Sequence, residues 1–438
     1  MTNPVWGALI LPTVVQYSRV LSRLAIGLDK QPHLIAHLTP GSAGGDDGGP
    51  RETLPERAAN ILRQAFVTCL NDRSGSSPTG LDKFGKPEGK KRGIYTIANL
   101  CLKILFACRK TRGCAQIFEN IYNQSPPLNA YPKSERVTYL YYLGRFLWGN
   151  GHAYRAQRAL QKAYDECHNN ALSQRRLILI FLISSNLICG RFPSPATFSR
   201  PEANGLAERF LPLCHAISRG DLVTFRRHLD TSSPHYLWFS HYRIDLQLRN
   251  RCEVLVWRSL VRKTFLLKGN PGDLNTRAAP TVDLNDVLAL FRWQERNYLT
   301  PPGHSEPVAH IDADFEGMEE IHDVENYDDD ILLLPTMTAV ISKMSALIHQ
   351  EFLTGYISFA KQKFAITGVR NKGSALAAGF PNIWLAVERR CDEEVPGWKT
   401  EDRRGGVGRG AGVGVGAFGP GAVINLKGAR PVGASPFG

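Results

Sequence analysis

The amino-acid sequence predicts a mainly α-helical chain, built of stacked helical hairpins and closed by a small module of helices with one β-hairpin. Three observations predict it. Beyond residue 130, apolar residues recur at three- and four-residue spacing through several long stretches. Gly149-Asn150-Gly151 and Gly220-Asp221 interrupt those stretches at hairpin intervals. Only around Ile357 does the period fall to two. With 438 residues, 43% hydrophobic and 21% charged, the chain can bury one large core or two modest ones without staples.

Residues 1–130 read as an N-terminal helical region in which short apolar-periodic segments alternate with breaks. The breaks are Thr39 to Pro50 and a basic loop from Asn71 to Gly93, both expected as exposed linkers. Residues 131–270 read as tetratricopeptide-like repeats. Between Glu135 and His168, Tyr139, Tyr142, Leu143 and Phe146 share one face of a first helix, and Tyr154, Ala156, Leu160 and Ala163 alternate in size on a second. Small residues let two helices approach closely, and such a hairpin covers its other face by stacking on neighbours. A long helix from about Gln174 to Cys189 follows, then a second hairpin from Glu208 to Leu229.

The run from His241 to Leu267 has no break residue and is expected to be one continuous central helix, apolar on nearly every side. Arg251, Arg258 and Arg262 fall on one line of it. Buried arginines call for carboxylate partners, so these three are candidates for an inter-domain or partner contact. Internal ion pairs or snorkelling side chains are the plainer alternative.

Residues 271–370 read as a last folded unit. Thr281 to Phe291 carries a capping signal at Asp283 and is expected to be a short helix. Residues 301–330 hold eleven Asp and Glu with no Lys or Arg, a composition that predicts a disordered insertion. A second helix from about Thr336 to Phe352 has Met337, Val340, Ile341, Met344, Leu347 and Ile348 as its apolar stripe. After Gly355, Ile357 and Phe359 alternate, Lys361-Gln362 turns, and Phe364 and Ile366 alternate again. Helices followed by a small hairpin are the arrangement of a winged helix, a helix-turn-helix variant able to dock on a duplex. Residues 371–438 are read as a Gly-rich flexible tail, with twelve glycines after Thr400.

Charge bounds the partners. The whole chain is +13, and because the acidic insertion contributes eleven negative charges, the other 408 residues carry +24. Such a surface attracts polyanions or acidic protein segments. In the winged helix, Lys343 on the helix, Lys361 and Lys363 at the hairpin turn, and Arg370 with Lys372 beyond the second strand are candidates for one phosphate-facing surface. No Asn, Gln or Arg cluster lies along the helix to read base edges. The expected binding to RNA or DNA is therefore sequence-tolerant, with a salt slope of roughly −3 to −4. Solvated charges on an ordinary surface are the plainer reading.

The nine cysteines are scattered without C-x-x-C spacing, which fits a reducing compartment and argues against a zinc site. Leu177 to Cys189 is too short and too interrupted to span a bilayer, so no membrane role is expected. The N-terminus does not have a signal peptide's layout.

Several motifs, in order, resemble a known family. They are Arg136-Val137-Thr138-Tyr139 and Tyr142-Leu143-Gly144-Arg145; Gln174-Arg175-Arg176-Leu177 running to Gly190-Arg191-Phe192-Pro193; Ala216-Ile217-Ser218-Arg219-Gly220-Asp221-Leu222; and Gly355-Tyr356-Ile357-Ser358. Over residues 131 to 370 the chain resembles the PCI-domain proteins of nuclear mRNA export, in particular the Thp-type subunit and its paralogue named for the signalosome, which the sequence does not separate. The resemblance implies helical repeats leading into a winged helix and no catalysis. It also implies a Sac-type scaffold protein and a small acidic Sem-type protein as partners, a nucleic-acid platform shared with the scaffold, and residence in the nucleus near its periphery, with the cytoplasm as the alternative. A protein-only scaffold of a COP-type signalosome or proteasome-lid-like assembly is the competing function. The acidic insertion and everything beyond about Trp384 depart from the family pattern.

Other motifs are set aside. Gly80 to Lys86 satisfies the skeleton of a phosphate-binding loop, but Pro87 replaces the Ser or Thr that would hold magnesium. Gly414 to Gly419 spells G-x-G-x-x-G inside a low-complexity run, as composition alone would produce. His33 and His37 sit one turn apart without a third ligand. Arg403-Arg404-Gly405-Gly406 and Arg409-Gly410 resemble RNA-contacting RGG segments, with few aromatics beside them. No acid, base, nucleophile and cofactor converge, so neither catalysis nor a cofactor is expected.

Overall fold

The computed structural model describes residues 3, 6–34, 53–73, 80–272, 278–299 and 335–391. Thr39 to Pro50, the acidic insertion 301–330 and the tail beyond Cys391 lie outside the described residues.

The N-terminal region is helical: α1 (Leu11–Asp29), α2 (Leu54–Leu70), α3 (Ile94–Ala107) and α4 (Cys114–Gln124). A capping box starts α2, in which Thr53 and Glu56 satisfy each other's backbone amides. The basic loop expected to be an exposed linker is partly interior. Lys90 is 4% exposed, and its ammonium lies 3.5 Å from Asp72, whose carboxylate also accepts from the Lys90 amide. At Gly80 to Lys86, the Asp82 carboxylate accepts from the amides of Phe84 and Lys86, so those donors are already engaged.

The repeats follow as α5 (Lys133–Gly149), α6 (Ala153–Glu166) and α7 (Leu172–Ile188), each packed on the next. Gly144 makes the close approach of α5 to α6: a Cβ there would lie 2.5 Å from Leu160. After a single turn, α8 (Pro195–Phe198), come α9 (Ala207–Arg219) and α10 (Leu222–Leu229). Gly220 between them is left-handed, and a Cβ there would come within 2.8 Å of the Leu260 backbone nitrogen. The hairpin turn therefore rests on the backbone of the central helix, and Asp221 caps α10 by accepting from Thr224.

The expected continuous helix is in fact two, α11 (Tyr236–Tyr242) and α12 (Asp245–Lys268), separated at Arg243, which is left-handed. The cause is tertiary. In one straight helix Phe239 and Ile244 would point about 140° apart, yet both are fully buried; the break turns both inward. α12 is the central element, touching α7, α9, α10 and the helix that follows.

Two expected helices, the two strands of the expected hairpin and one unexpected strand make up the last unit: β1 (Thr281–Asp283), α13 (Leu284–Leu299), α14 (Met337–His349), β2 (Gly355–Ser358) and β3 (Lys363–Ile366). The sheet order is β1-β3-β2, antiparallel throughout, with Val282 opposite Phe364 and both buried. Thr281 to Asp283, read as the start of a helix, is this third strand. Three residues carry too little pattern to declare a strand whose partner lies some eighty positions on. With the end of α12 as first helix, the order helix, strand, two helices and two strands is that of a winged helix. The acidic insertion falls between α13 and α14.

The first part of the segment expected to be a flexible tail from residue 371 is folded. Val369–Lys372 (α15), Ala375–Gly379 (α16) and Ile383–Arg390 (α17) are helical. Gly190 is left-handed, and a Cβ there would come within 2.7 Å of Ile383. Trp384 lies against Tyr154, ring centroids 5.2 Å apart, and under the Arg191 guanidinium at 4.5 Å. Tyr154 donates to Glu388 at 3.1 Å, and Arg390 donates to the His349 carbonyl. This segment ties the winged helix back onto α6 and α7. Its few apolar residues are too short a run to stand out against the glycine-rich stretch beyond.

Candidate nucleic-acid interface

A winged helix meets a duplex with the second helix of its helix-turn-helix, here α14 after α13, and with its wing, so the charges on α14 and on the β2–β3 turn decide what it can hold. α14 starts at Thr336, whose hydroxyl accepts from the Ala339 amide, and buries Val340, Met344 and Leu347. Its exposed positions include Thr338, Ser342, Ser345 and His349. The one lysine of that helix, Lys343, does not join them. Its ammonium sits 3.6 Å from the centroid of the Trp257 ring, near Phe291, and burial pushes its pKa down against the pull of Glu253 and Glu295. The expected phosphate contact at Lys343 is therefore an internal cation–π contact. At 3.6-residue spacing, Lys343 belongs to the same inward arc as Val340 and Met344.

The wing differs. Lys361 and Lys363 are exposed at the β2–β3 turn, where Gln362 is left-handed. Arg370 and Lys372 are exposed on α15. Among the described residues, none of these four makes an ion pair. Lys361 and Lys363 stand at the start of β3 and Arg370 and Lys372 beyond its end, about 10 Å of strand away.

The arginine line on α12 also divides. Arg251 and Arg262 are exposed; Arg258 is half-buried and reaches from α12 into the winged-helix unit. It donates to the Phe352 carbonyl at 3.0 Å and the Pro381 carbonyl at 2.7 Å, with its guanidinium over Phe380. Carbonyls, not the expected carboxylates, satisfy it. With no anion beside it, burial first and the nearby Arg262 second bring its pKa down to about 10. The carboxylate partners go instead to Arg226 of α10, which meets Glu253 of α12 at 2.8 Å and Glu295 of α13 at 2.7 Å. Nothing in the spacing of Arg226 marks it for this role, since its partners lie 27 and 69 residues away.

The motif residues turn out to be architectural. Gly144, Gly190, Gly220 and Gly355 each stand where a Cβ would collide with a neighbour. Arg145 lies between the rings of Phe106 and Phe181, 4.9 Å from each, and Arg175 pairs with Glu202 at 3.0 Å. Seven of the nine cysteines are buried, and desolvation pushes thiols such as Cys101 and Cys189 up to about 12, far from nucleophilic. Among the described residues, no helix is long and apolar enough to cross a membrane, and no group of three or more His, Cys, Asp or Glu could hold a metal ion.

No protein-family model matches the chain. Curated proteins do. A PCI domain-containing protein of Schizosaccharomyces pombe is 30% identical over 264 residues, covering 59% of this chain and 55% of the relative. A protein CSN12 homolog of Neurospora crassa is 27% identical over 267 residues, 59% of this chain and 56% of the relative. PCI domain-containing protein 2 of Xenopus laevis is 26% identical over 212 residues, 48% and 49%. The chain spans about half the length of the curated relatives it matches. A helical fold ending in a winged helix and this set of homologues agree: the relatives of this chain are PCI domain-containing proteins, and the PCI family is the one they support.

Proposed function

We propose that the chain is a non-enzymatic scaffold subunit of a multi-subunit nuclear PCI assembly of the Thp type, coupling transcription to mRNA export and touching RNA or DNA through its wing. Its partners in this reading are a Sac-type scaffold protein and a small acidic Sem-type protein, at the nuclear periphery. The observation that carries the nucleic-acid part is the exposed, unpaired pair Lys361 and Lys363 on a tight turn. A projecting turn with two free ammonium groups reaches a phosphate backbone without moving the body of the protein.

With Lys343 engaged inside, the wing alone neutralises about two phosphates, which lowers the expected salt slope on duplex DNA to about −2. Anisotropy titrations of duplex DNA and single-stranded RNA with the full chain, across salt concentrations, test this. Lys361→Glu with Lys363→Glu should abolish binding; undiminished binding by that variant at low salt would sink the reading.

The protein-only scaffold of a signalosome-like assembly is the second reading. It is favoured by the neutral exposed face of α14, which gives a duplex no cation in the groove, and by relatives that carry the name CSN12 homolog. Ser342→Lys separates the two. A gain in duplex affinity means that α14 approaches the nucleic acid; an unchanged affinity, with the wing variant also silent, leaves the protein-only scaffold.

A further inference from the structure

The N-terminal helix carries a second surface that the winged helix does not explain. From the N-cap of α1 onward, Ile10, Tyr17 and Leu24 recur every seven residues with Val20 between the last two, and Ile10, Tyr17, Leu24 and Val20 are 47%, 72%, 56% and 52% exposed. The opposite side, Leu11, Ser18, Ser22 and Ala25, packs into the core, so the stripe is an additional apolar face and not the amphipathic face of an ordinary surface helix.

Charge specifies what covers it. Residues seven apart share one edge of a helix, and Gln16, Arg23 and Lys30 line one edge of the stripe. Arg23 and Lys30 are exposed and make no ion pair among the described residues. The single carboxylate of α1, Asp29, stands at its C-terminal end. In heptad terms the stripe takes three a positions and, with Val20, one d, Thr13 and Gly27 standing at the other two d positions; Arg23 and Lys30 stand at g, where a partner helix brings its own flanking charges. A second copy of this chain would set these cations against their like in an antiparallel pair and against Val14, Leu21 and Leu28 in a parallel one, and in neither would it bring them a carboxylate.

We infer that α1 is a heptad docking surface for an amphipathic helix of a different protein, one with an apolar a/d seam flanked by Glu or Asp. The inference extends the scaffold reading by adding a binding face at the N-terminal end, and it does not depend on the wing.

The test uses the full chain and two labelled synthetic helices of about four heptads, with Leu at a and d; one carries Glu at e and g, the other Lys. Anisotropy at physiological salt should show binding of the Glu helix and at least about tenfold weaker binding of the Lys helix. Leu24→Glu should weaken the Glu helix at least about tenfold. Since Leu24 is exposed, the variant should melt at the parent's temperature. Arg23→Glu with Lys30→Glu should reverse the preference, which loss of folding could not do.

No binding of either helix, equal binding of both, or indifference to Leu24→Glu overturns the inference. So does a dimer in sedimentation that Leu24→Glu dissolves, since a second copy would then be the occupant. If deleting residues 301–334 uncovers binding absent from the full chain, the chain's own acidic segment is the occupant and the inference fails in that direction. Nucleic-acid binding through the wing, measured on the same variants, should not change, so failure here and failure of the platform reading are told apart.

Discussion

The repeats and the wing use positive charge in opposite ways. In the repeats, Arg145 is sandwiched by aromatic rings, Arg175 is paired with Glu202, and Arg226 bridges two glutamates from different helices. At the wing, Lys361 and Lys363 project into solvent. The same residue types thus hold the helices together in one region and face outward in the other. A large positive balance does not by itself describe a binding surface, because part of it is internal. What decides is whether a guanidinium finds a carboxylate, a carbonyl or a ring within its reach.

The sharpest way to break this contrast is Arg226→Ala, which would leave Glu253 and Glu295 facing each other across the α10–α12–α13 junction. We expect a loss of about 3–5 kcal/mol in unfolding free energy, read by denaturant titration. The pairing holds the Glu253 carboxyl below its usual range, against desolvation. A carboxyl with a lowered folded pKa stabilises the protein above its unfolded pKa, near 4.5, and that stability drains away as pH falls through the folded value. Acid unfolding should therefore flatten in Arg226→Ala with Glu253→Gln.

Next in size is Arg258→Ala, which leaves the Phe352 and Pro381 carbonyls without their donor and loosens the winged helix from α12. About 2–3 kcal/mol should be lost, and Arg258→Lys, with one ammonium for two acceptors, should recover only part. An unchanged melting temperature in Arg258→Ala would mean that the junction is held by packing alone.

A smaller effect is expected at His228, whose Nε2 lies 2.8 Å from the Arg209 carbonyl and whose ring stacks beside His235. Burial holds its pKa below 6.5. The unfolded chain then takes up the proton more readily, so stability should fall as pH drops below about 6.5 and hold above it. Thermal melts between pH 5.5 and 7.5 should show this slope in the parent and a shallower one in His228→Gln. The smallest effect closes the comparison: Lys361→Glu with Lys363→Glu should move stability by no more than about 0.5 kcal/mol while removing nucleic-acid binding.

The repeats and the hairpin were legible because their signals are local. The α5–α6 hairpin turns at Gly149-Asn150-Gly151, and β2 and β3 follow the period-two run around Ile357. The candidate site was legible by half. That Lys361 and Lys363 sit on a turn follows from the residues around them, whereas Lys343 looked equally available until Trp257, 86 positions earlier, was brought beneath it.

The sequence by itself determined the mainly helical class, the hairpin spacing, the wing and the segregation of acid into one segment. Each is a property of residues within a turn or two of one another, where 3.6-residue and two-residue periods and left-handed glycines act. Tertiary structure alone decided that the long central helix breaks at Arg243, that Thr281–Asp283 becomes a strand, that Ile383 seats over Gly190, and that Arg258 ends on two carbonyls. Those outcomes depend on which distant atoms fill a space or supply an acceptor. A buried group takes the partner that the packing leaves it, and spacing along the chain says nothing of that choice.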